Sequence, residues 1–507
     1  MTRAVVIAFA LGASLVVACT RAKDPVGAKG GAAPPAEASA ASAGSAAPIY
    51  DAGATLDAAQ ADLPPLAEPD GNREGRESGE GALPDALAFE KIGAPPLALS
   101  RICDLTTHQG ALYMAHAHVP LGTDGATLTR FDPSDAKRPF RVAFDWNRHG
   151  EPAKGGGAGQ GFLRIRAIGG RLFVPDADPP YNGLGLAEHG TEGYVFVSGP
   201  DGRFAPPRAP HYRPPGSPDA ESRPGAGVLP RAYHVIDVAK FKGEIYASTG
   251  SVPPTERAWR GASPGALHRA SVDLSRWTYA VDYPHPWRDG VWRLTYMTRF
   301  RGRLYAGIQD YDARDPNDYV YFTDITQEGA HPTRVTDYGT AQTLRWYADP
   351  GPAARAAHLG GRAERLFWIA FDRSGVALRV TEDGDTWRVV PLPPDAGRPT
   401  DIVRFRDALV VLTEKKLLRL DPAPGDTSGG DAGAAAVTFV ARELATYTGK
   451  DGKPAKKSPF DLTDYFCAAP LGVLGNTLYA GGQRGGILYR IAPVAREADA
   501  GADGGAP

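Results

Sequence analysis

An all-β chain built from one repeated unit is predicted by three observations. A short turn feeding an apolar strand recurs along the sequence: GALYMA from Gly110, GGRLFVPD from Gly169, KGEIYASTG from Lys242, RGRLYAGIQD from Arg301, AERLFWIAFD from Ala363, RDALVVLTE from Arg406 and GNTLYAGGQ from Gly475. Each is followed, after a variable gap, by a second strand-like phrase: ATLTRFD, GYVFVSG, GALHRAS, DYVYFTD, GVALRVT, KLLRLDP and GILYRIA. Extended runs flank these pairs, as in HVIDVAKF from His234 and WRLTYMTRF from Trp292 before the turn, and WTYAVDY from Trp277 after the second phrase. Four strands per unit, repeated about seven times, are the pattern of a β-propeller. A β-sandwich does not repeat one phrase, and a β-helix needs coils much shorter than the spacing from Ile245 to Leu304.

Taken in order, the chain opens with MTRAVVIAFALGASLVVACT, one positive charge at Arg3 and then an apolar run ending at Cys19. The run is too short for a spanning helix and reads as an export signal. Val16-Val17-Ala18-Cys19 resembles the lipobox of bacterial lipoproteins, which implies that residues 1–19 are the signal and that Cys19 carries lipid. The absence of Asp after the cysteine, where Thr20 and Arg21 stand, resembles outer-membrane sorting. Membrane attachment is therefore expected through lipid, at the bacterial envelope.

Residues 20–84 are dominated by Ala, Gly, Pro, Ser and Asp and hold too little apolar surface to offset the entropy of ordering, so they are read as a tether. The propeller is expected over 85–495 and a second tail of similar composition over 496–507. The last unit has no outer strand after GILYRIAPV, and DALAFEKIG from Asp85 is expected to supply it, closing the ring by strand exchange between the termini. With three cysteines, one assigned to lipid, Cys103 and Cys467 remain as a candidate disulfide between the innermost strands of the first and last units; two buried free thiols are the other reading.

VTEDGDTWRVV from Val380 is similar to the Asp-box turn of sialidase-like propellers, and Thr381, Asp383, Gly384, Thr386 and Trp387 carry the resemblance. ASVDLSRW from Ala270 is a degraded copy. In those families the box is a structural hairpin, so the resemblance implies fold rather than activity. The Arg-Ile-Pro phrase of sialidases is missing, with LRIRAI from Leu163 faintly similar.

The net charge of −2 gives no general attraction to nucleic acid, so none is expected as a partner. No phosphate-cradling loop, dinucleotide fingerprint or nucleophile elbow is present, and His116 with His118 is too small a set for a metal. No cofactor is expected. The connections between the second and third strands, by contrast, are long in the first four units, as in TGSVPPTERAWRGASPG from Thr249 and GIQDYDARDPND from Gly307, and short in the last three. Loops that only connect have no reason to lengthen together on one face, so a glycan or peptide ligand is expected there. Its candidate contacts are Trp259, Arg260, Tyr311, Asp310 and Tyr181, which combine flat apolar faces with polar groups. Arg101, His234 and Arg293 fall at the starts of innermost strands on the same face and suit an anionic group. Pairing of the inner arginines, Arg164 and Arg166 among them, with Asp104, Asp237 or Asp401 is the other reading. A sialidase-like or other glycan-acting hydrolase is the enzymatic alternative, with no nucleophile or base assignable from the sequence.

Overall fold

The structure, a computed structural model, describes residues 79–494 apart from 98, 100, 118–125, 146–160, 178–191, 205–226, 252–264, 284–290, 312–319, 327–330, 334–353, 360–362, 373–374, 424–436, 450–451 and 463–466. Every regular element in this part is a β-strand. The first strand, β1 (Leu87–Gly93), is followed by β2 (Asp104–His108), β3 (Ala111–His116), β4 (Thr127–Phe131) and β5 (Phe140–Asp145), which form the first repeated unit. The second holds β6 (Arg166–Ile168), β7 (Arg171–Pro175), β8 (Glu192–Val197) and β9 (Val228–Pro230). The third holds β10 (Ala232–Phe241), β11 (Glu244–Ser251), β12 (Gly265–Ala270) and β13 (Trp277–Tyr283). Then come β14 (Val291–Phe300), β15 (Arg303–Tyr311) and β16 (Val320–Asp324). The fifth unit is β17 (Ala354–His358), β18 (Glu364–Asp372), β19 (Gly375–Thr381) and β20 (Arg388–Val389), and the sixth is β21 (Pro399–Phe405), β22 (Ala408–Thr413), β23 (Lys416–Pro422) and β24 (Phe439–Thr446). The last three strands are β25 (Leu471–Leu474), β26 (Thr477–Gly481) and β27 (Leu488–Pro493).

Each unit is an antiparallel meander, and the fold is a β-propeller. Among the described residues six units have four strands, where the sequence led us to expect about seven such blades. The difference lies in β14–β16. These three strands continue the sheet of the third unit through the pairing of Gly250 with Arg293, making one seven-stranded sheet. Two missing side chains allow it: Gly250 sits at the junction, and a Cβ on Gly265 would lie 2.7 Å from the Leu294 nitrogen.

The N-terminal strand β1 pairs with β27 from Leu87↔Pro493 to Gly93↔Leu488, so the last sheet runs β1-β27-β26-β25. Residues just before β1 also pack on this sheet. Leu83 is 6% exposed and joins the apolar cluster of Leu87, Phe405, Leu471 and Ile491, and the backbone nitrogen of Glu80 donates to Asn476 Oδ1 at 2.8 Å. Apolar clusters lie between neighbouring sheets, as alternation of side chains along each strand requires, and the inner two strands of the first, second and sixth units are almost wholly buried.

Among the described turns between first and second strands a left-handed residue recurs, Arg406 in the sixth unit and Gly in the others. Gly110, Gly243, Gly302 and Gly475 have φ of +72°, +81°, +72° and +58°. Alternating strand direction puts these turns and those between third and fourth strands on one rim of the disc. The connections between second and third strands, and those between units, fall on the opposite rim, called here the loop rim.

Candidate functional site

The innermost strands carry three buried carboxylates in matching positions: Asp104, Asp237 and Asp401, each fully buried. One oxygen of each accepts the next residue's backbone N–H, from Leu105 at 2.9 Å, Val238 at 2.8 Å and Ile402 at 2.8 Å. The other reaches across to the neighbouring unit and accepts a backbone N–H from Ile165 at 2.8 Å, Met297 at 2.9 Å and Leu471 at 2.7 Å. A charged acceptor shared in this way satisfies donors that the sheets leave open at the seam between units.

The arginines of the second unit are drawn into the same layer. Arg166 donates through Nε and one terminal nitrogen to both oxygens of Asp237, at 2.8 and 2.6 Å, and to the Met297 carbonyl at 2.9 Å. Arg164 Nε lies 3.9 Å from Asp104 and 3.7 Å from Asp237, with its guanidinium 5.3 Å from the centre of the Tyr296 ring. Burial alone would raise the Asp237 carboxyl, but the two guanidinium groups and the Met297 N–H outweigh it and hold it below the usual range. These two arginines are thus engaged with aspartates inside the seam, the second of the two roles open from sequence.

Near the axis, Cys103, Leu163, Ile236, Tyr296 and Cys467 form one buried cluster with Ala117 and Ala177. Cys103 and Cys467 are joined as a disulfide, with Cα atoms 4.5 Å apart, linking the chain just before β2 to the chain just before β25. Apolar side chains from the first four units thus meet the disulfide at this depth.

On the loop rim, Arg101 stands just before β2, His234 near the start of β10 and Arg293 near the start of β14. His234 Nδ1 is 3.0 Å from the Ala177 carbonyl, which ties the third unit to the connection following β7. Arg293 is 6% exposed, so most of its surface is packed in the sheet junction. Asp310 and Tyr311 end β15, with their Cα atoms opposite Trp292 and Val291. Tyr181, Trp259, Arg260 and Cys19 lie outside the described residues.

His116 is buried at the end of β3 with both ring nitrogens engaged, Nδ1 2.7 Å from the Arg101 carbonyl and Nε2 2.7 Å from Thr129 Oγ1. Burial pushes its pKa down to about 4, so it is neutral at pH 7. Its neighbour His118 lies outside the described residues. Among the described residues no group of three His, Cys, Asp or Glu side chains is placed to hold a metal ion.

The opposite rim is built from aspartate turns. Asp383 Oδ1 accepts the N–H groups of Asp385 at 2.8 Å and Thr386 at 2.7 Å and the Thr381 hydroxyl at 2.9 Å. Asp273 repeats the arrangement with the Ser275 N–H at 3.1 Å and the hydroxyls of Ser271 and Ser275 at 2.6 and 2.9 Å. Asp132, Asp201 and Asp324 each accept the N–H two residues on, at 3.1, 3.1 and 2.8 Å. These Asx turns are local devices that close a hairpin.

Sequence reasoning missed what those turns touch. Two tyrosines of the recurring phrase sit under them: a Cβ on Gly202 would overlap the hydroxyl of Tyr113, and one on Gly384 that of Tyr305. Each tyrosine belongs to the unit before its turn. The signal was present, since Tyr113, Tyr246, Tyr305 and Tyr479 occupy one position in the phrase, but nothing in a single unit shows a partner in the next.

No family model matches the chain. No curated protein sequence matches it. Among solved structures the chain is similar to virginiamycin B lyase from Staphylococcus aureus with quinupristin, at 9% identity and a TM-score of 0.41, covering 80% of this chain and 100% of that one. It is similar to an α-L-arabinofuranosidase from Clostridium thermocellum at 14% identity and a TM-score of 0.31, over 58% of this chain and 94% of that one. For a β-fructofuranosidase from Bombyx mori the figures are 11% and 0.32, over 80% and 90%. These neighbours include glycoside hydrolases and a lyase, and at such scores they carry no argument about activity. The β-propeller assignment rests on the strand order and register described above.

Proposed function

We propose that this chain is a ligand-binding β-propeller of the bacterial envelope, lipid-anchored at Cys19, that recognises a glycan or peptide on its loop rim. The outer membrane is the proposed location. The observation that supports this most is the uneven length of the connections on that rim. Between second and third strands they span 117–126, 176–191, 252–264 and 312–319 in the first four units, against 373–374, 414–415 and 482–487 in the last three. Connections lengthened together on one sector of a rigid disc are where binding residues collect. Trp259, Arg260, Tyr181, Asp310 and Tyr311 are the proposed contacts, with Arg101, His234 and Arg293 at the adjoining strand ends. Pairing of β1 with β27, together with the Cys103–Cys467 bond, is proposed to close the ring, so that the sector keeps its shape.

The test is binding of the full chain to glycan and peptide arrays, followed by Trp259→Ala and Tyr311→Ala. Loss of an aromatic anchor costs about 2 kcal/mol or more in affinity. Unchanged affinity in both variants would move the site elsewhere. A glycan-acting hydrolase is the second reading, favoured by the acidic phrases DADPP from Asp176 and IQDYDARDPND from Ile308. Release of sugar by the wild type, lost in Asp310→Asn, would replace binding by catalysis.

A further inference from the structure

The two ends of the folded chain are tied to the same rim. Residues 79–86 cross the turns of the sixth and seventh repeats, Arg406–Asp407 between β21 and β22 and Gly475–Asn476 between β25 and β26. The Glu80 N–H donates to Asn476 Oδ1 at 2.8 Å, and the Leu83 N–H to Asp407 Oδ1 at 3.2 Å. Arg406, stacked with its guanidinium 5.2 Å from the centre of the Phe405 ring, donates to the Ala82 carbonyl at 2.7 Å and the Asn476 carbonyl at 3.4 Å. A Cβ on Gly79 would lie 3.0 Å from both Phe405 and Arg406, so even the first described residue is seated on the disc. At the other end β27 runs from the loop rim to the turn rim, and the Val494 N–H donates to the Ala86 carbonyl at 3.3 Å.

These are turns of the short-turn rim, opposite the long connections. A chain entering there applies any pull from its N-terminus to that rim, through a strap bonded to two successive repeats. We propose that the propeller is held to the lipid surface from its short-turn rim, so that the loop rim is presented away from the membrane. The inference rests on the anchoring reading above. Roughly 60 residues of Gly- and Ala-rich composition separate Cys19 from Gly79, and a flexible chain of that length and composition would span about 40–45 Å. Strands of the lengths seen here make a disc about 20–25 Å thick. The loop rim therefore stands farther from the lipid by a distance comparable with half the tether, enough to separate the two rims by energy transfer.

The experiment uses the full lipidated chain in vesicles carrying an acceptor dye on the lipid headgroups. Single donor dyes are placed on the short-turn rim at Val272→Cys or Val494→Cys, which are 96% and 51% exposed, and on the loop rim at Lys415→Cys or Lys456→Cys, both exposed. Two positions per rim guard against one variant misfolding. Transfer at least twofold greater from the short-turn pair than from the loop pair is expected. Equal or reversed transfer from protein that floats with the vesicles overturns the orientation and leaves anchoring intact. Protein that does not float overturns both.

Discussion

The two rims of this propeller are made from the same repeat and differ in what their polar groups are engaged with. On the short-turn rim, Asp132, Asp201, Asp273, Asp324 and Asp383 each close their own turn. Gly202 and Gly384 then bring two of these turns down on a tyrosine of the preceding unit. The loop rim has connections of 2, 2 and 6 residues in the last three repeats and of 10, 16, 13 and 8 in the first four. Between the rims, the buried aspartates of the innermost strands join unit to unit. A scaffold whose polar groups are spent internally leaves the other face to vary, and that contrast is what makes the loop rim the place to look for function.

The largest effect expected on the scaffold side comes from Asp237→Ala. It leaves Arg166 buried without its bidentate partner, and breaking a buried pair in this way costs about 3–5 kcal/mol. Urea denaturation reads it, and a loss under about 1 kcal/mol would mean the seam is held by apolar packing alone. Next is the disulfide. The double change Cys103→Ala with Cys467→Ala should lower stability by about 2–5 kcal/mol, since the bond spans 364 residues of sequence. Melting that is the same with and without reductant would contradict a role in ring closure.

Acidification should weaken the fold through His116. Its folded pKa, about 4, lies below the ordinary value of 6.5, so between these the unfolded chain binds the proton that the folded chain refuses. Stability therefore falls as pH drops from 6.5 to 4, by up to about 3 kcal/mol from the size of the shift. His116→Gln should flatten that slope, and an unchanged slope would assign it to other groups. Asp383 acts at lower pH. Burial alone would raise it, but the Thr386 and Asp385 N–H groups and the Thr381 hydroxyl bring it to about 2, so its contribution is present above the ordinary carboxylate value and lost as pH falls through 2.

A glycine pair sharpens the contrast within the short-turn rim. Gly110→Ala meets open space and suffers only from φ of +72°, which costs about 1 kcal/mol. Gly384→Ala adds a clash with the Tyr305 hydroxyl and should cost more, with part of the difference recovered in a Tyr305→Phe background. Equal costs in thermal melts would remove the tyrosine from the account of how units dock.

Much of this architecture could be read from the chain because its signals are local. A short turn followed by an apolar strand phrase marks each of the hairpins β3–β4, β7–β8, β11–β12, β15–β16, β18–β19, β22–β23 and β26–β27, and the unmatched strand at Leu87 pairs with β27. What could not be read depends on contacts between units. Merging of β14 with β11 follows from a close approach at Gly250 and Gly265, two glycines that look like ordinary loop punctuation in sequence. Residues 79–84 have the composition of the tether before them, and one leucine, Leu83, decides that they are packed. Arg164 and Arg166 are compatible in sequence with either an aspartate or a ligand, and contacts between units decide for Asp237. Of the candidate contacts on the loop rim, Arg101, His234, Arg293, Asp310 and Tyr311 lie among the described residues.

The division of labour between the rims is tested most directly by one binding titration run on two matched variants. The first, Trp259→Ala with Tyr311→Ala, alters the loop rim; the second, Asp132→Asn with Asp273→Asn, alters the aspartate turns opposite. With a ligand from the arrays, the loop-rim variant should lose at least about 30-fold in affinity, the equivalent of about 2 kcal/mol, while melting within about 0.5 kcal/mol of wild type. The turn variant should melt earlier and bind as the wild type does. A loop-rim variant that binds normally, or a folded turn variant that loses the ligand, would contradict the assignment of binding to the loop rim.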